Sequence, residues 1–332
     1  MLEIQNLRVT IGPHTIVDIE QLAVPAGSRL GIVGESGSGK TMTAMSVVGL
    51  LPDEAVVSGS IRFNGRELVG LSDAQLAEVR GRDIGVVFQD PAKALNPMMR
   101  IGRQVAEAIK LHMDLSKDQI RARVLDLLTQ VQLPDAESLL RRYPHQLSGG
   151  QQQRVLIAVA IACDPKLLIA DEPTTALDVT VQNGILSLLR ELSVSRDMGL
   201  VFVSHDLGVI QTISERVAVV YGGHMVEFGP VDRVIGYPRH RYTEALVSAN
   251  PGIADNDRLG EFVNKRLDVI RGTVPALGRF PSGCRFRGRC MSEVDECSTL
   301  PGISVEVEGH TFKCWNPAEG ASDVQGVADV TR

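Results

Sequence analysis

Residues Gly34 to Thr41 read GESGSGKT, with the apolar run RLGIV (Arg29 to Val33) immediately before them and a helical pattern, Thr41 to Leu50, immediately after. This is the G-x-x-x-x-G-K-[ST] spacing in a strand–loop–helix setting. Glycines at these places let successive backbone N–H groups converge on phosphate oxygens, and the helix N-terminus adds positive potential. Lys40 is placed to reach β- and γ-phosphates, and the Thr41 hydroxyl to sit on Mg²⁺. Glu35, Ser36, Ser38 and Met42 complete the candidate loop with Gly34, Gly37 and Gly39. The expected ligand is a nucleoside triphosphate.

Outward from this loop, short β-branched runs alternate with helical patterns. Strands are expected at 29–33, 84–88, 167–170, 200–203 and 217–221, and helices at 41–50, 179–192 and 207–214. That alternation predicts a parallel α/β sheet. From Ile101 to Ala162 the pattern is almost entirely helical, with candidates at 101–112, 117–131 and 136–142. It predicts a helical subdomain, about residues 95–162, inserted into the α/β core. The strand-like LLIADEP, Leu167 to Pro173, ends in two carboxylates. Asp171 suits Mg²⁺ coordination, directly or through water, and Glu172 suits polarising an attacking water.

Composition narrows the class. At 332 residues the prior is two domains, and 44% hydrophobic with 22% charged residues describes a folded chain. The net charge of −6 supplies no electrostatic reason to bind a nucleic-acid backbone, and 4% aromatic residues leave little stacking surface. No run reaches the roughly 18 apolar residues of a membrane span. The opening MLEIQNLRVT alternates like a strand and does not read as an export leader, so a cytoplasmic protein is expected. Cys163 closes an apolar helical run and reads as a small core residue. Cys284, Cys290, Cys297 and Cys314 crowd toward the C-terminus, which in a reducing compartment points to a metal site, not disulfides.

LSGGQ, Leu147 to Gln151, precedes the helical run QQRVLIAVAIA and stands upstream of LLIADEP. This order of motifs resembles the ABC-type ATPases over roughly Met1 to Ser248. The resemblance implies a fold: an α/β P-loop ABC-type ATPase core with the inserted helical subdomain, an N-terminal β-subdomain and a small C-terminal Cys-rich module. It implies ATP and Mg²⁺ as ligands. Gln89, after IGVVF, becomes the Q-loop residue on Mg²⁺ and nucleotide; Ala176, Leu177 and Asp178 the D-loop; and His205, after LVFVS, the switch histidine facing the γ-phosphate. Glu172 and His205 are then the catalytic pair. Ser148, Gly149, Gly150 and Gln151 would open a helix whose N-terminus holds ATP bound on a partner cassette, so two cassettes must pair head to tail. Where the family stacks an aromatic ring on adenine, this chain has Ile11, with His14 nearby.

Four further stretches are similar to the peptide-transport branch of that family: FQDPAKALNP (88–97), DEPTTALDVTVQ (171–182), PRHRYTEALVSANP (238–251, with Arg241 where Pro is usual) and IRGTVPAL (270–277). The implied function is the ATPase subunit of a membrane importer for di- or oligopeptides, or for nickel and other small solutes. Implied partners are a second ABC ATPase subunit (the same chain or a related one), two transmembrane permease subunits and an extracytoplasmic solute-binding protein. The chain would lie peripherally on the cytoplasmic face of the membrane. The C-x5-C-x6-C-x16-C spacing resembles the tail of this branch, where some members carry a [4Fe–4S] cluster whose negative charge Arg285, Arg287 and Arg289 would offset. Zinc is the rival, although paired C-x2-C knuckles are absent, and four reduced thiols are the third reading. The expected division is an ATPase domain over 1–250, a Cys-rich module over 251–316 and a loose tail over 317–332. A soluble ABC-type ATPase acting on DNA or the ribosome is the alternative; one cassette, no heptad run and a negative charge speak against it. A redox-sensing ATPase run by the Cys module is a second.

Overall fold

The computed structural model describes residues 1–175, 177–250, 270–306 and 309–319. Ala176 of the expected D-loop, the expected boundary at 250/251 with PGIADND, and residues 320–332 of the expected tail lie wholly or partly outside the described residues.

The described strands form one twelve-stranded sheet. They are β1 (Leu2–Ile11), β2 (His14–Val24), β3 (Arg29–Val33), β4 (Ala55–Phe63), β5 (Arg66–Glu67), β6 (Ile84–Val87), β7 (Leu167–Asp171), β8 (Gly199–Ser204), β9 (Arg216–Tyr221), β10 (His224–Pro230), β11 (Ser304–Val305) and β12 (Thr311–Phe312). Their order is β5-β4-β1-β2-β10-β9-β3-β8-β7-β6. The five expected strands are β3, β6, β7, β8 and β9, and neighbours among them pair in parallel. β7 and β8 are buried along their whole length, as strands covered on both faces must be. Successive side chains point to opposite faces. Leu168, Ala170, Leu200 and Phe202 therefore join one core, and Leu167, Ile169, Val201 and Val203 the other.

The antiparallel layer at the N-terminal end holds its apolar face through a local fault. Leu2 and Ile4 are buried, then Leu7 and Val9, a slip of one residue in the alternation. Asn6 takes up the slip at φ 49°, and the β1–β4 register shifts between Gln5 and Arg8. Opposite it, Gly59 has φ 93° and so little room that a Cβ would lie 2.2 Å from the Asn6 carbonyl oxygen. The bulge keeps the apolar residues inward where a straight strand would turn half of them out.

Between β6 and β7 the chain is helical: Pro91–Ala94, Ile101–His112, Lys117–Gln130, Ala136–Leu139 and Gly149–Ala160. Reciprocal hydrogen bonds between Ser116 and Gln119 start the third of these. Ile101, Val105 and Ile109 share a core with Val124, Leu127 and Leu128. The helix after the phosphate loop, Lys40–Ser46, stops short of the expected Leu50. The N–H groups of Val47, Val48 and Gly49 bond three residues back, so the last turn tightens into a 3-10 form and ends at Gly49, φ 64°. Cys163 is half-buried rather than buried; it lies past the end of its helix, with Sγ 3.4 Å from the Ala108 carbonyl.

The C-terminal segment is tied to the main sheet. β12 pairs with β10, matching Phe312 to Glu227 and Thr311 to Phe228. Phe286 is buried against the rings of Tyr221 (5.2 Å) and Tyr242 (5.3 Å), so this tail adds its aromatic side chain to the main core. Residues 316–318 are anchored, where a loose tail was expected from 317: the Arg241 guanidinium donates to the carbonyls of Asn316 and Pro317, and Arg239 and Ala318 bond main chain to main chain. Among the described residues no helix is long and apolar enough to cross a membrane.

Candidate nucleotide site

The phosphate loop leaves β3 and enters the Lys40–Ser46 helix. At Gly34 the backbone passes so near β9 that a Cβ would stand 2.1 Å from the Val220 carbonyl oxygen. Gly39 caps the helix at φ 98°, a left-handed conformation that side chains resist. Lys40 is buried and folds back on the loop, donating from Nζ to the Gly34 carbonyl at 2.8 Å and the Glu35 carbonyl at 3.0 Å. Burial lowers its pKa, and the carboxylates of Glu172, Asp171 and Glu35 partly restore it. Ser38 is buried and Met42 half-buried against the core, while Ser36 and Gly37 are exposed at the loop tip.

The two carboxylates at the end of LLIADEP diverge. Asp171 ends β7 buried, and its Oδ1 accepts from the Thr41 hydroxyl at 3.0 Å. Burial raises its pKa; the Thr41 hydrogen bond opposes that, and Glu172 adds to it. Glu172 has φ 44°, which turns its side chain out of the strand line. Its Oε2 accepts from Gln89 Nε2 at 3.1 Å and from Thr175 Oγ1 at 3.1 Å, and lies 3.2 Å from His205 Nδ1. Its Oε1 is 4.0 Å from Lys40 Nζ. Gln89, Glu172, His205 and Lys40, widely spaced in the chain, thus meet around one carboxylate. Thr41 and Asp171 present two hard oxygens side by side, a donor set that fits Mg²⁺.

Ser148, Gly149, Gly150 and Gln151 stand apart. The Ser148 hydroxyl accepts from the Gln151 N–H at 3.3 Å, and the Gln151 side chain accepts from the Ser148 N–H at 3.1 Å, capping the Gly149–Ala160 helix. Among the described residues no hydrogen bond joins them to the phosphate loop. Asp178 caps the Val179–Ser195 helix, accepting from the Val181 N–H at 3.0 Å. Ile11 pairs with His14 at the β1–β2 turn, both half-buried. Gly278 lies against the His14 ring, where a Cβ would be 2.5 Å away.

Sequence reasoning missed Thr175, although the TT after DEP was its signal. It also missed what two residues far along the chain, Tyr242 and Arg289, bring to the loop. The Tyr242 hydroxyl accepts from the Glu35 N–H at 2.7 Å, and Arg289 grips the Glu35 carboxylate at 2.6 and 3.0 Å. Nothing in the spacing of residues so far apart marks such a contact.

Cys297 is buried and Cys284, Cys290 and Cys314 are half-buried, all as free thiols. Burial pushes the Cys284 thiol up to about 11, with Cys297 and Cys314 adding to it, and raises Cys290 and Cys314 in the same way. Among the described residues no group of three or more His, Cys, Asp or Glu side chains is arranged to hold a metal ion. The expected zinc or iron–sulfur ligand set is therefore not assembled as the chain is folded.

Residues 18–175 match the ABC transporter family, and residues 226–297 match the oligopeptide/dipeptide transporter C-terminal region. The chain is 41% identical to the oligopeptide transport ATP-binding protein OppD of Haemophilus influenzae, over 96% of this chain and 98% of that one. It is 40% identical to the dipeptide transport ATP-binding protein DppD of Bacillus subtilis, over 95% and 94%. Among solved structures, the dimeric post-hydrolysis state of the ATP-binding cassette MJ0796 with ADP and Pi aligns at TM-score 0.62 and 28% identity, covering 70% of this chain and 99% of that one. A phosphate loop facing the strand-end carboxylates, the helical insertion and a C-terminal region matched by its own family all agree, and the chain belongs to the ABC transporter ATP-binding family, in its oligopeptide/dipeptide branch.

Proposed function

We propose that this chain binds and hydrolyses MgATP and couples the reaction to import of di- or oligopeptides. The observation that carries the reading is the Glu172 carboxylate, which joins Gln89, Thr175 and His205 beside Lys40 and the Thr41–Asp171 pair. Lys40 would leave the loop carbonyls for the β- and γ-phosphates. Thr41, Asp171 and Gln89 would hold Mg²⁺, which when bound neutralises phosphate charge. Glu172 would take the proton of the attacking water, and His205, exposed on the other side of that carboxylate, would orient it and hydrogen-bond the γ-phosphate. Ile11 would pack on adenine without stacking.

Ser148 to Gln151 would serve the nucleotide of the opposite cassette. Their self-contained cap and their separation from the phosphate loop support this, as does the dimeric form of the MJ0796 cassette. The partner cassette is a second copy or a related ATPase. Two transmembrane permease subunits and an extracytoplasmic solute-binding protein complete the importer, and the chain lies peripherally on the cytoplasmic face. The names of the OppD and DppD relatives support peptides as the solute. Residues 1–250 form the ATPase domain in this reading, with 251–316 as its C-terminal extension.

A [4Fe–4S] cluster on Cys284, Cys290, Cys297 and Cys314 is supported by their spacing. The thiols as folded do not form a ready ligand set, so no step above depends on a cluster. Anaerobic reconstitution with iron and sulfide tests it: charge-transfer absorption lost in Cys284→Ser supports the cluster, and no absorption removes it.

The experiment for the whole reading is affinity purification of this chain from native membranes with identification of what accompanies it. Two multi-helix proteins, an ATPase and a solute-binding protein are expected. Ribosomes or DNA-repair proteins without membrane subunits would overturn it.

A further inference from the structure

Arg289 belongs to the cysteine-bearing tail, one residue before Cys290, yet its side chain ends in the phosphate loop. It is 8% exposed, and the guanidinium has a partner for each of its five N–H groups. Nε donates to the Arg271 carbonyl at 2.7 Å. Nη1 donates to Glu35 Oε2 at 2.6 Å and to the Tyr221 hydroxyl at 3.1 Å. Nη2 donates to Glu35 Oε1 at 3.0 Å and to the Gly272 carbonyl at 3.3 Å. The fork also lies near the rings of Tyr221 (5.7 Å) and Phe286 (5.9 Å).

Glu35 is held from three sides in consequence. Arg289 takes its carboxylate, the Tyr242 hydroxyl its N–H, and Lys40 Nζ its carbonyl. Lys40 and Glu35 are both within the loop, so the position of the ammonium depends on where Glu35 stands. The pair has an electrostatic consequence too. A carboxylate in a phosphate-binding loop repels the ligand, and a bidentate guanidinium cancels that charge at short range. The tail turn that presents Arg289 is itself ordered, with the N–H groups of Arg289 and Cys290 both donating to the Phe286 carbonyl.

We propose that Arg289 is a positioning residue for the phosphate loop. By neutralising and fixing Glu35 it sets the affinity of the site for nucleoside triphosphate, which makes the C-terminal extension a working part of the nucleotide site. The proposal rests on the nucleotide reading above.

The test is equilibrium binding of a fluorescent ATP analogue with Mg²⁺ to the full chain, with steady-state KM and kcat for ATP, in the wild type, Arg289→Gln, Arg289→Lys, Glu35→Gln and the double variant Arg289→Gln/Glu35→Gln. Loss of a charge-assisted bidentate contact predicts Kd and KM about tenfold or more higher in Arg289→Gln, with kcat changed far less. Arg289→Lys, which keeps the charge and loses the fork, falls between. The double variant binds more tightly than Arg289→Gln alone, because the unpaired carboxylate has gone. Unchanged Kd in Arg289→Gln overturns the proposal, as does a loss of affinity that Glu35→Gln does not relieve. If Arg289→Gln does not fold, Arg289→Lys carries the test in its place: losing the fork while keeping the charge, it must bind the analogue more weakly than the wild type. A wild type that binds no analogue at all sinks the nucleotide reading instead, a separate outcome.

Discussion

The Thr41 hydroxyl donates to the Asp171 carboxylate at 3.0 Å across 130 residues of sequence. β3 and β7 both pair with β8 in parallel, so both chain segments leave the same edge of the sheet. The helix start on one and the strand end on the other are therefore brought face to face, at the C-terminal ends of the strands where parallel sheets bind ligands.

That pair should bind the cation. Asp171 is buried with a raised pKa and a second carboxylate beside it, a charge arrangement that a divalent cation relieves. Thr41→Ala and Asp171→Asn are each expected to weaken Mg²⁺-dependent ATP binding by at least about tenfold. Titrating Mg²⁺ at fixed ATP checks this; equal Mg²⁺ dependence in wild type and variants would contradict it.

Two histidines should make the fold acid-sensitive. Burial pushes His224 from 6.5 down to about 4, helped by Arg285, and pushes His240 down to about 3. Unfolded, both take up a proton near pH 6.5, so between there and about pH 3 to 4 the unfolded chain holds more protons and stability falls as pH drops. His240 Nδ1 accepts from the Tyr242 N–H at 3.0 Å, and His240→Asn keeps an acceptor there without titrating. A shallower fall of Tm from pH 7 to 4 is expected in that variant; the wild-type slope in both would refute the assignment.

The tail should depend on one buried pair. Glu227 is 1% and His310 1% exposed, with His310 Nε2 2.7 Å from Glu227 Oε1, beside the β10–β12 pairing. Glu227 also accepts from the N–H groups of Arg239 and His240. His310→Ala leaves the carboxylate short of a partner and is expected to cost about 3 kcal/mol. Chemical denaturation measures it, and a loss below about 0.5 kcal/mol would show that the pair is not structural.

The parallel core was legible because fully buried strands read as unbroken apolar runs, and β7 and β8 are such runs. The phosphate loop was legible because its chemistry is local: Gly34 to Thr41 are consecutive, and glycine positions follow from backbone needs. The convergence of Gln89, Glu172 and His205 came from resemblance, since hydrogen bonds across such separations leave no periodic trace. The Arg289–Glu35 grip was invisible for the same reason, whereas Thr175, three residues from Glu172, had a local signal in the TT after DEP. The cysteine spacing suggests a ligand set, but it does not say where the thiols lie in the fold, which backbone pairing and aromatic packing of the C-terminal segment decide.

Glu172 is proposed to activate water at a site where Lys40, Thr41 and Asp171 bind MgATP. The most direct measurement is ATP hydrolysis and ATP binding by Glu172→Gln beside the wild type, in the assembled complex with its membrane subunits. The amide oxygen keeps the bonds from Gln89 and Thr175 but cannot accept the proton, so hydrolysis should fall by about 100-fold or more while ATP binding stays within a few-fold. Hydrolysis at the wild-type rate in Glu172→Gln, with binding intact, would contradict the account.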